Sequence, residues 1–255
     1  MAKFRLAVLE CDVPFPGVDT LRGSYGDMFG ALLTKGMKGL PRPDSEVEVV
    51  VTKWDVVMAH VYPVFEDFDG LMLSGSKHTA FDNEPWILAL IDYLSDFFKN
   101  SQKPVIGICF GHQIIARTLG GRVAVNPGGW ENSVTEIQLS EAGRRFFGLP
   151  TISMHQTHRD AVMTLPPGVD SIGGSVACGV HGMYKPGRIL SFQGHPEFDE
   201  ETMTIILKGR HRDGYFSESM YMDGMSRVNW AHAGDMLATK MCSFFLDASR
   251  ALGQK

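Results

Sequence analysis

Residues 103–121 read KPVIGICFGHQIIARTLGG. Val105 to Ile108 are small or branched and apolar, and read as a buried strand; residues 112–121 read as a short helix closed by a glycine C-cap. At the junction Cys109 stands between Gly107 and Gly111. A sharp strand-to-helix turn needs small flanking residues, and G-x-C-x-G is the thiol version of the nucleophile elbow. Such a thiol stands at the carboxyl end of a strand, where reactive groups gather in open α/β sheets, and at a helix N-terminus, where the dipole favours an anion. The same residues also suit a small buried cysteine in a glycine-flanked turn. Taken alone, the stretch leaves both readings open.

Working outward, the first half alternates between strand and helix patterns. FRLAVLEC (4–11), EVEVVVTKW (46–54) and DGLMLSGS (69–76) read as strands. Residues 20–37 read as a glycine-weakened helix. Residues 85–100 read as an amphipathic helix with Trp86, Leu90, Leu94 and Phe97 at helical spacing and Pro85 near its start. Continuous apolar strands joined by helices imply a parallel sheet covered on both faces. The second half carries shorter strand patterns, VTEIQLS, TISMHQTH, DAVMTL, ACGVHGMY and RILSFQGH, some of them expected to pair antiparallel, and then helical patterns over 199–213 and 232–250. With no repeat and no linker-like tract, the expectation is one α/β domain over residues 1–255 with a helical extension from about 199.

Composition is that of a soluble globular protein: 44% hydrophobic and 21% charged residues, with a net charge of −5. No basic run marks a nucleic-acid footprint, and no stretch approaches the ~20 apolar residues needed to span a bilayer. The N-terminus reads as a first strand rather than a signal segment, so a cytoplasmic protein is expected. The cysteines Cys11, Cys109, Cys178 and Cys242 form no C-x-x-C pair. Reduced thiols follow from that context, and all but Cys109 read as small buried hydrophobes. No cluster with metal-ligand spacing stands out, and no cofactor is called for.

A thiol nucleophile needs a base and an acid that orients it. RILSFQGHPEF (188–198) supplies His195 and Glu197 across Pro196. In an extended segment residues i and i+2 share a side, so Glu197 would hold the imidazole while His195 addresses the thiol. Of the other histidines, His155 and His158 flank a polar loop, and His60, His78, His181 and His232 lack an acid at this spacing. An oxyanion hole would come from the N–H of Phe110, just after the nucleophile, and from Gly75 or Ser76 in the turn of LMLSGSKH (71–78). That turn also fits a plain βα connection.

Together these pieces resemble the class I (triad) glutamine amidotransferases. The resemblance runs over nearly the whole chain, through the LSGS turn, GICFGHQIIARTLGG, HQTHRDAV and SFQGHPEF. It implies a flavodoxin-like three-layer α/β sandwich with a mostly parallel central sheet. It also implies a Cys109–His195–Glu197 triad, Gln113 as a contact to the γ-glutamyl group, and a loop around His158, Arg159 and Asp160 whose backbone binds the glutamate α-groups. Two departures stand out. Ser74-Gly75-Ser76-Lys77 replaces the family's Gly-Gly-Pro turn, and GGWENS (128–133) places the bulky Trp130 near the substrate region. Lys77, His78 and Phe81 join Trp130 as candidates for the wall of the leaving-group pocket.

The sequence has no phosphate-binding G-x-x-x-x-G-K-[ST] loop and no stretch left over for an ATP-binding synthetase. The acidic-Pro-Trp-Ile pattern after the SGS turn is similar to the stand-alone γ-glutamyl peptidase-like branch, whose plant members remove γ-glutamate from glutathione conjugates. The resemblance therefore implies hydrolysis or transfer of a γ-glutamyl amide, on glutamine or a γ-glutamyl peptide. The alternative is a glutaminase subunit feeding ammonia to a separate synthetase, with the aromatic-rich residues 215–230 either as docking surface or as a lid or packing segment. A redox or chaperone-like protein on a related sheet would have no need of His195-Pro196-Glu197.

Overall fold

The structure is a computed structural model and describes residues 2–253. Its first half is laid out by β1 (Lys3–Glu10), α1 (Val18–Arg22), α2 (Tyr25–Lys38), β2 (Glu48–Asp55), β3 (Gly70–Leu73), α3 (Pro85–Asn100), β4 (Val105–Ile108) and α4 (Phe110–Thr118). β5 (Arg122–Val125), β6 (Glu131–Leu139), α5 (Glu141–Phe147), β7 (Thr151–His158), β8 (Asp160–Thr164), β9 (Asp170–Gly174), β10 (Gly182–Lys185) and β11 (Ile189–Phe192) follow. The chain then runs through α6 (Glu200–Arg212), α7 (Glu218–Arg227) and α8 (Gly234–Gly253).

Nine strands form one sheet in the order β2-β1-β3-β4-β11-β10-β9-β6-β7. The first five are parallel, in the flavodoxin order. Every residue of β3, β4 and β11 is buried, as strands covered on both faces require. From β11 onward the pairing turns antiparallel, through β10, β9, β6 and β7, as expected for some strands of the second half. β5 and β8 pair separately. The expected α/β sandwich is thus found, with a parallel half and an antiparallel continuation.

One face of the sheet buries Phe29 and Leu33 of α2 and Leu237, Met241 and Phe245 of α8. The other buries Trp86, Leu90, Leu94 and Phe97 of α3 with Ile114 and Ile115 of α4. α2 and α8 touch backbone to backbone at Gly36, where a Cβ would meet the Ala238 carbonyl at 2.5 Å. The helix expected over 20–37 is broken in two. Gly23 takes φ +77°, and Ser24 and Asp27 then form a capping box that restarts the helix as α2. Among the described residues no helix is long and apolar enough to cross a membrane.

Residues 215–230 are partly packed against the fold, with Tyr215, Met222 and Trp230 left largely exposed. Arg227 of α7 donates to the backbone oxygens of Asn132 and Val134 on β6 and pairs with Asp223. Gly224 lies against Leu207 and Asn132, close enough that a Cβ would sit 2.8 Å from the leucine. These contacts support packing at Gly224 and Arg227 and bear on neither the docking nor the lid reading of the exposed residues.

Candidate active site

β3, β4 and β11 are neighbours and parallel, so their carboxyl ends open on the same edge of the sheet. The chain leaves β4 through Cys109, which adopts φ 53° and ψ −103° and forms the N-cap of α4. A non-glycine residue in that region is strained and persists only where its surroundings hold it. Here the Cys109 N–H donates to the Phe192 carbonyl at 2.8 Å, and its own carbonyl accepts from the Gln113 N–H at 3.1 Å. The flanking glycines have a steric reason. A Cβ on Gly107 would sit 2.5 Å from the Gly111 carbonyl oxygen, and one on Gly111 would sit 2.6 Å from that of Leu73. α4 therefore starts at Phe110, two residues before the sequence pattern suggests, and Cys109 keeps 7% of its surface exposed.

The chain leaves β11 through Gln193-Gly194-His195. The His195 N–H donates to the His155 carbonyl at 2.8 Å, which pins the residue, and the ring stacks on Phe198 with centroids 4.1 Å apart. Its Nδ1 pairs with Glu197 Oε1 at 2.8 Å, both side chains being buried. The two face each other across a turn at Pro196 and Glu197, not along the extended segment that the sequence suggests. Burial works against an imidazolium here, but the Glu197 carboxylate and the Cys109 sulfur outweigh it and push His195 up to about 10. Among the described residues Nε2 has no hydrogen-bond partner.

The turn after β3 closes on this pair. A Cβ on Gly75 would sit 3.0 Å from His195 Cε1 and 3.6 Å from Cys109 Cβ. The turn is tied by Ser74, whose hydroxyl accepts from the Cys11 N–H at 2.8 Å, and by Asp12, which accepts from the Lys77 N–H at 2.8 Å and pairs with its ammonium at 3.0 Å. The Lys77 amide is thereby occupied, whereas among the described residues the amides of Gly75 and Ser76 donate to no acceptor.

Cys109 and His195 line a cleft of about 430 Å³, with Asp12 and Ser76 beside them. It is walled by Ser76, Lys77 and His78 on one side, by Trp130 and residues 157–160 on another, and by Phe198, Arg210 and Tyr215 from the C-terminal part. Gln113 reaches the cleft with its amide already engaged: Nε2 donates to the Asp160 carbonyl at 2.8 Å and to Gln193 Oε1 at 3.0 Å. Asp160 also takes a hydrogen bond from the Thr79 hydroxyl at 3.2 Å, and Arg159 is largely exposed. Phe81 is absent from the cleft lining, unlike the other candidates for its wall.

The profile of the glutamine amidotransferase class-I family matches residues 42–208, more than half of the chain. The chain belongs to this family. Among its relatives, a putative glutamine amidotransferase-like protein of Schizosaccharomyces pombe is 33% identical over 96% of this chain and 99% of its own length. Gamma-glutamyl peptidase 3 of Arabidopsis thaliana is 29% identical over 96% of both. Among solved folds, a glutamine amidotransferase of Thermotoga maritima superposes with a TM-score of 0.68 at 16% identity, over 96% of this chain and 98% of that one.

Two side chains around this family member's site escape a reading of sequence alone. Gln193 sits two residues before His195, and its Nε2 donates to the Cys109 sulfur at 3.7 Å. Its position just past β11, two residues before His195, was the available signal. Arg210 comes from α6, with its guanidinium 4.8 Å from the Trp130 ring centre. Among the described residues no carboxylate lies within ion-pair distance of it, and no local pattern marks it. The His158 side chain pairs with Glu131, while the residue still lines the cleft. Where the sequence shows no metal-ligand cluster, the fold brings Glu131, His158, Cys178 and His181 together, all buried. Cys178 and His181 are spaced C-x-x-H, the only trace of this in the sequence.

Proposed function

We propose that the protein cleaves γ-glutamyl amide bonds through a glutamyl thioester on Cys109. The observation that carries this reading is the meeting of the strained Cys109 elbow, the His195–Glu197 pair and the Gly75 turn at the floor of one cleft. His195 takes the Cys109 proton and the sulfur forms a bond to the γ-carbonyl carbon. The carbonyl oxygen becomes an oxyanion, within reach of the free amides of Gly75 and Ser76 and of the Phe110 amide at the start of α4. When the intermediate collapses the C–N bond breaks, and His195 passes its proton to the leaving amine. Water then attacks the thioester with His195 as base, the C–S bond breaks, and glutamate leaves with the thiol restored. Glu197 keeps the Nδ1–H tautomer and the ring orientation throughout.

Gln113 supports the γ-glutamyl side of the reading by position, with its amide fixed by Asp160 and Gln193, and the backbone of residues 158–160 borders the same space. Arg210 is a cation without an acid beside it, stacked on Trp130 and facing a cleft, which suits a substrate carboxylate. This favours a γ-glutamyl peptide such as glutathione or its conjugates, which carries a second carboxylate beyond the scissile bond. The name of the A. thaliana relative, a gamma-glutamyl peptidase, supports the same class, and that of the S. pombe relative supports the wider glutamine amidotransferase chemistry.

The test is a panel of glutamine, glutathione, glutathione S-conjugates and other γ-glutamyl amides against wild type and Cys109→Ala. Glutamate release by the wild type alone is expected. Equal background rates from both proteins would sink the reading. Activity on glutamine that appears only with a co-purifying synthetase would favour the ammonia-supplying alternative.

A further inference from the structure

The side chains of Glu131, His158, Cys178 and His181 meet away from Cys109, and the mechanism uses none of them. Glu131 and His158 are register partners on β6 and β7, while Cys178 and His181 lie in the turn between β9 and β10. The Nε2 atoms of His158 and His181 each lie 3.1 Å from Glu131 Oε2. The four ligand-type atoms lie within 4.8 Å of one another. All four residues are more than nine-tenths buried. Despite the short separations, Glu131 Oε2 and both Nε2 atoms have no hydrogen-bond partner among the described residues. Buried polar atoms converging on one point without partners call for an explanation, and a cation is one.

The surroundings fix these atoms as ligands. The His158 Nδ1–H donates to the Asp160 carbonyl at 3.1 Å, which leaves the Nε2 lone pair pointing into the cluster. Ser175 Oγ accepts the amides of Ala177 and Cys178 at 3.2 and 3.0 Å, so its proton goes to Glu131 Oε1 at 2.6 Å and turns Oε2 inward. The backbone of the turn is held as well: the Ser175 N–H donates to the Cys178 carbonyl and the His181 N–H to the Gly173 carbonyl, each at 2.8 Å.

We propose that this cluster is a closed, structural binding site for a divalent transition-metal ion, zinc by its donor set. Two imidazoles, a carboxylate and a thiolate make four ligands. In a tetrahedral zinc site with Zn–N and Zn–O near 2.0–2.1 Å, neighbouring N and O ligands stand about 3.3 Å apart, close to the separations seen. A thiolate among the donors selects against magnesium and calcium. The charges also balance, since a dication with one carboxylate and one thiolate is neutral, which a buried site requires. The ion would staple the 175–181 turn to the start of β6 and the end of β7, and through His158 would stiffen the 158–160 backbone at the cleft wall.

The full-length protein expressed in zinc-supplemented medium should carry about one zinc ion per chain by elemental analysis, as a closed four-ligand site predicts. Cys109→Ala should retain it, and Cys178→Ser and His181→Asn should lower the content by roughly tenfold or more. A metal-free sample reconstituted with cobalt(II) chloride should show a sulfur-to-cobalt charge-transfer band in wild type and Cys109→Ala, which needs no folded Cys178 variant. A wild type that holds no zinc after dialysis against zinc chloride, or a cobalt band that vanishes in Cys109→Ala, would overturn the assignment. So would zinc content unchanged in folded Cys178→Ser.

Discussion

Gly75→Ala isolates the steric part of the site from its hydrogen bonding, because alanine keeps the backbone N–H. The new Cβ would lie 3.0 Å from His195 Cε1 and 3.6 Å from Cys109 Cβ. Carbon atoms rest at ~3.5–4.0 Å, so the methyl group and the imidazole must separate by about half an ångström. The ring has little room to yield, being stacked on Phe198 at 4.1 Å and tied through Nδ1 to Glu197 at 2.8 Å. The turn is also held, by Ser74 and Asp12. Strain of this kind costs about 1–3 kcal/mol, while a misplacement on the order of 1 Å in a reacting group costs about 10²-fold in rate. Half that shift therefore predicts a fall in kcat of roughly 10-fold, with KM changed far less. Steady-state glutamate release on the best substrate of the panel, with thermal melts in parallel, measures both parts. A Gly75→Ala protein with kcat within about twofold of wild type would show that Gly75 does not position His195.

The other expectations follow from single contacts. Glu197→Gln should lower kcat by about 10²–10⁴-fold by losing the tautomer that Glu197 holds. Because that carboxylate is what raises His195 against burial, the alkaline limb of the kcat/KM profile should move below its wild-type position near pH 10; an unmoved limb would contradict the pairing. Arg210→Met should raise KM for a γ-glutamyl peptide by about 10–100-fold, the worth of a charge-assisted hydrogen bond, and should leave cleavage of a substrate without the second carboxylate much less affected. His155 lies behind His195, facing His232, His195 and Asp199, and burial with the two neighbouring imidazoles brings it down to about 3. The unfolded chain takes up that proton near pH 6.5, so the fold should lose about 1.4 kcal/mol per pH unit from this group as pH falls from 6.5 towards 3. Thermal melts of wild type and His155→Asn would diverge in that window, and parallel curves would refute the assignment.

The parts of this site that lie together in the chain were the parts legible in the sequence. The Cys109 elbow carries its own steric signature in Gly107 and Gly111, and His195-Pro196-Glu197 keeps base and acid within one turn. Gln193, Arg210 and the Glu131–His158–Cys178–His181 cluster were not legible, because each acquires its partners only when β6, β7, β11 and α6 come together. Errors in the element boundaries have equally local causes. Ser24 and Asp27 restart a helix that hydrophobic spacing runs through. Strained Cys109 begins α4 earlier than its apolar pattern indicates. The antiparallel half was expected from its interrupted strand patterns, and burial bears this out: β4 and β11 are buried throughout, whereas β10 and β9 are buried only in part.

Gly75, Cys109 and His195 follow β3, β4 and β11, whose pairings place Leu73 beside Gly107 and Phe192 beside Ile108. A slip of one residue in either ladder would carry a reacting group about 3.3 Å along the sheet and turn alternate side chains to the opposite face. A chain misaligned in this way could remain collapsed and helical and yet have no working thiol. Reactivity at Cys109, scored against the fraction of molecules that are merely compact, would therefore count how many chains have aligned three strands correctly, and so serve as a register gauge during refolding.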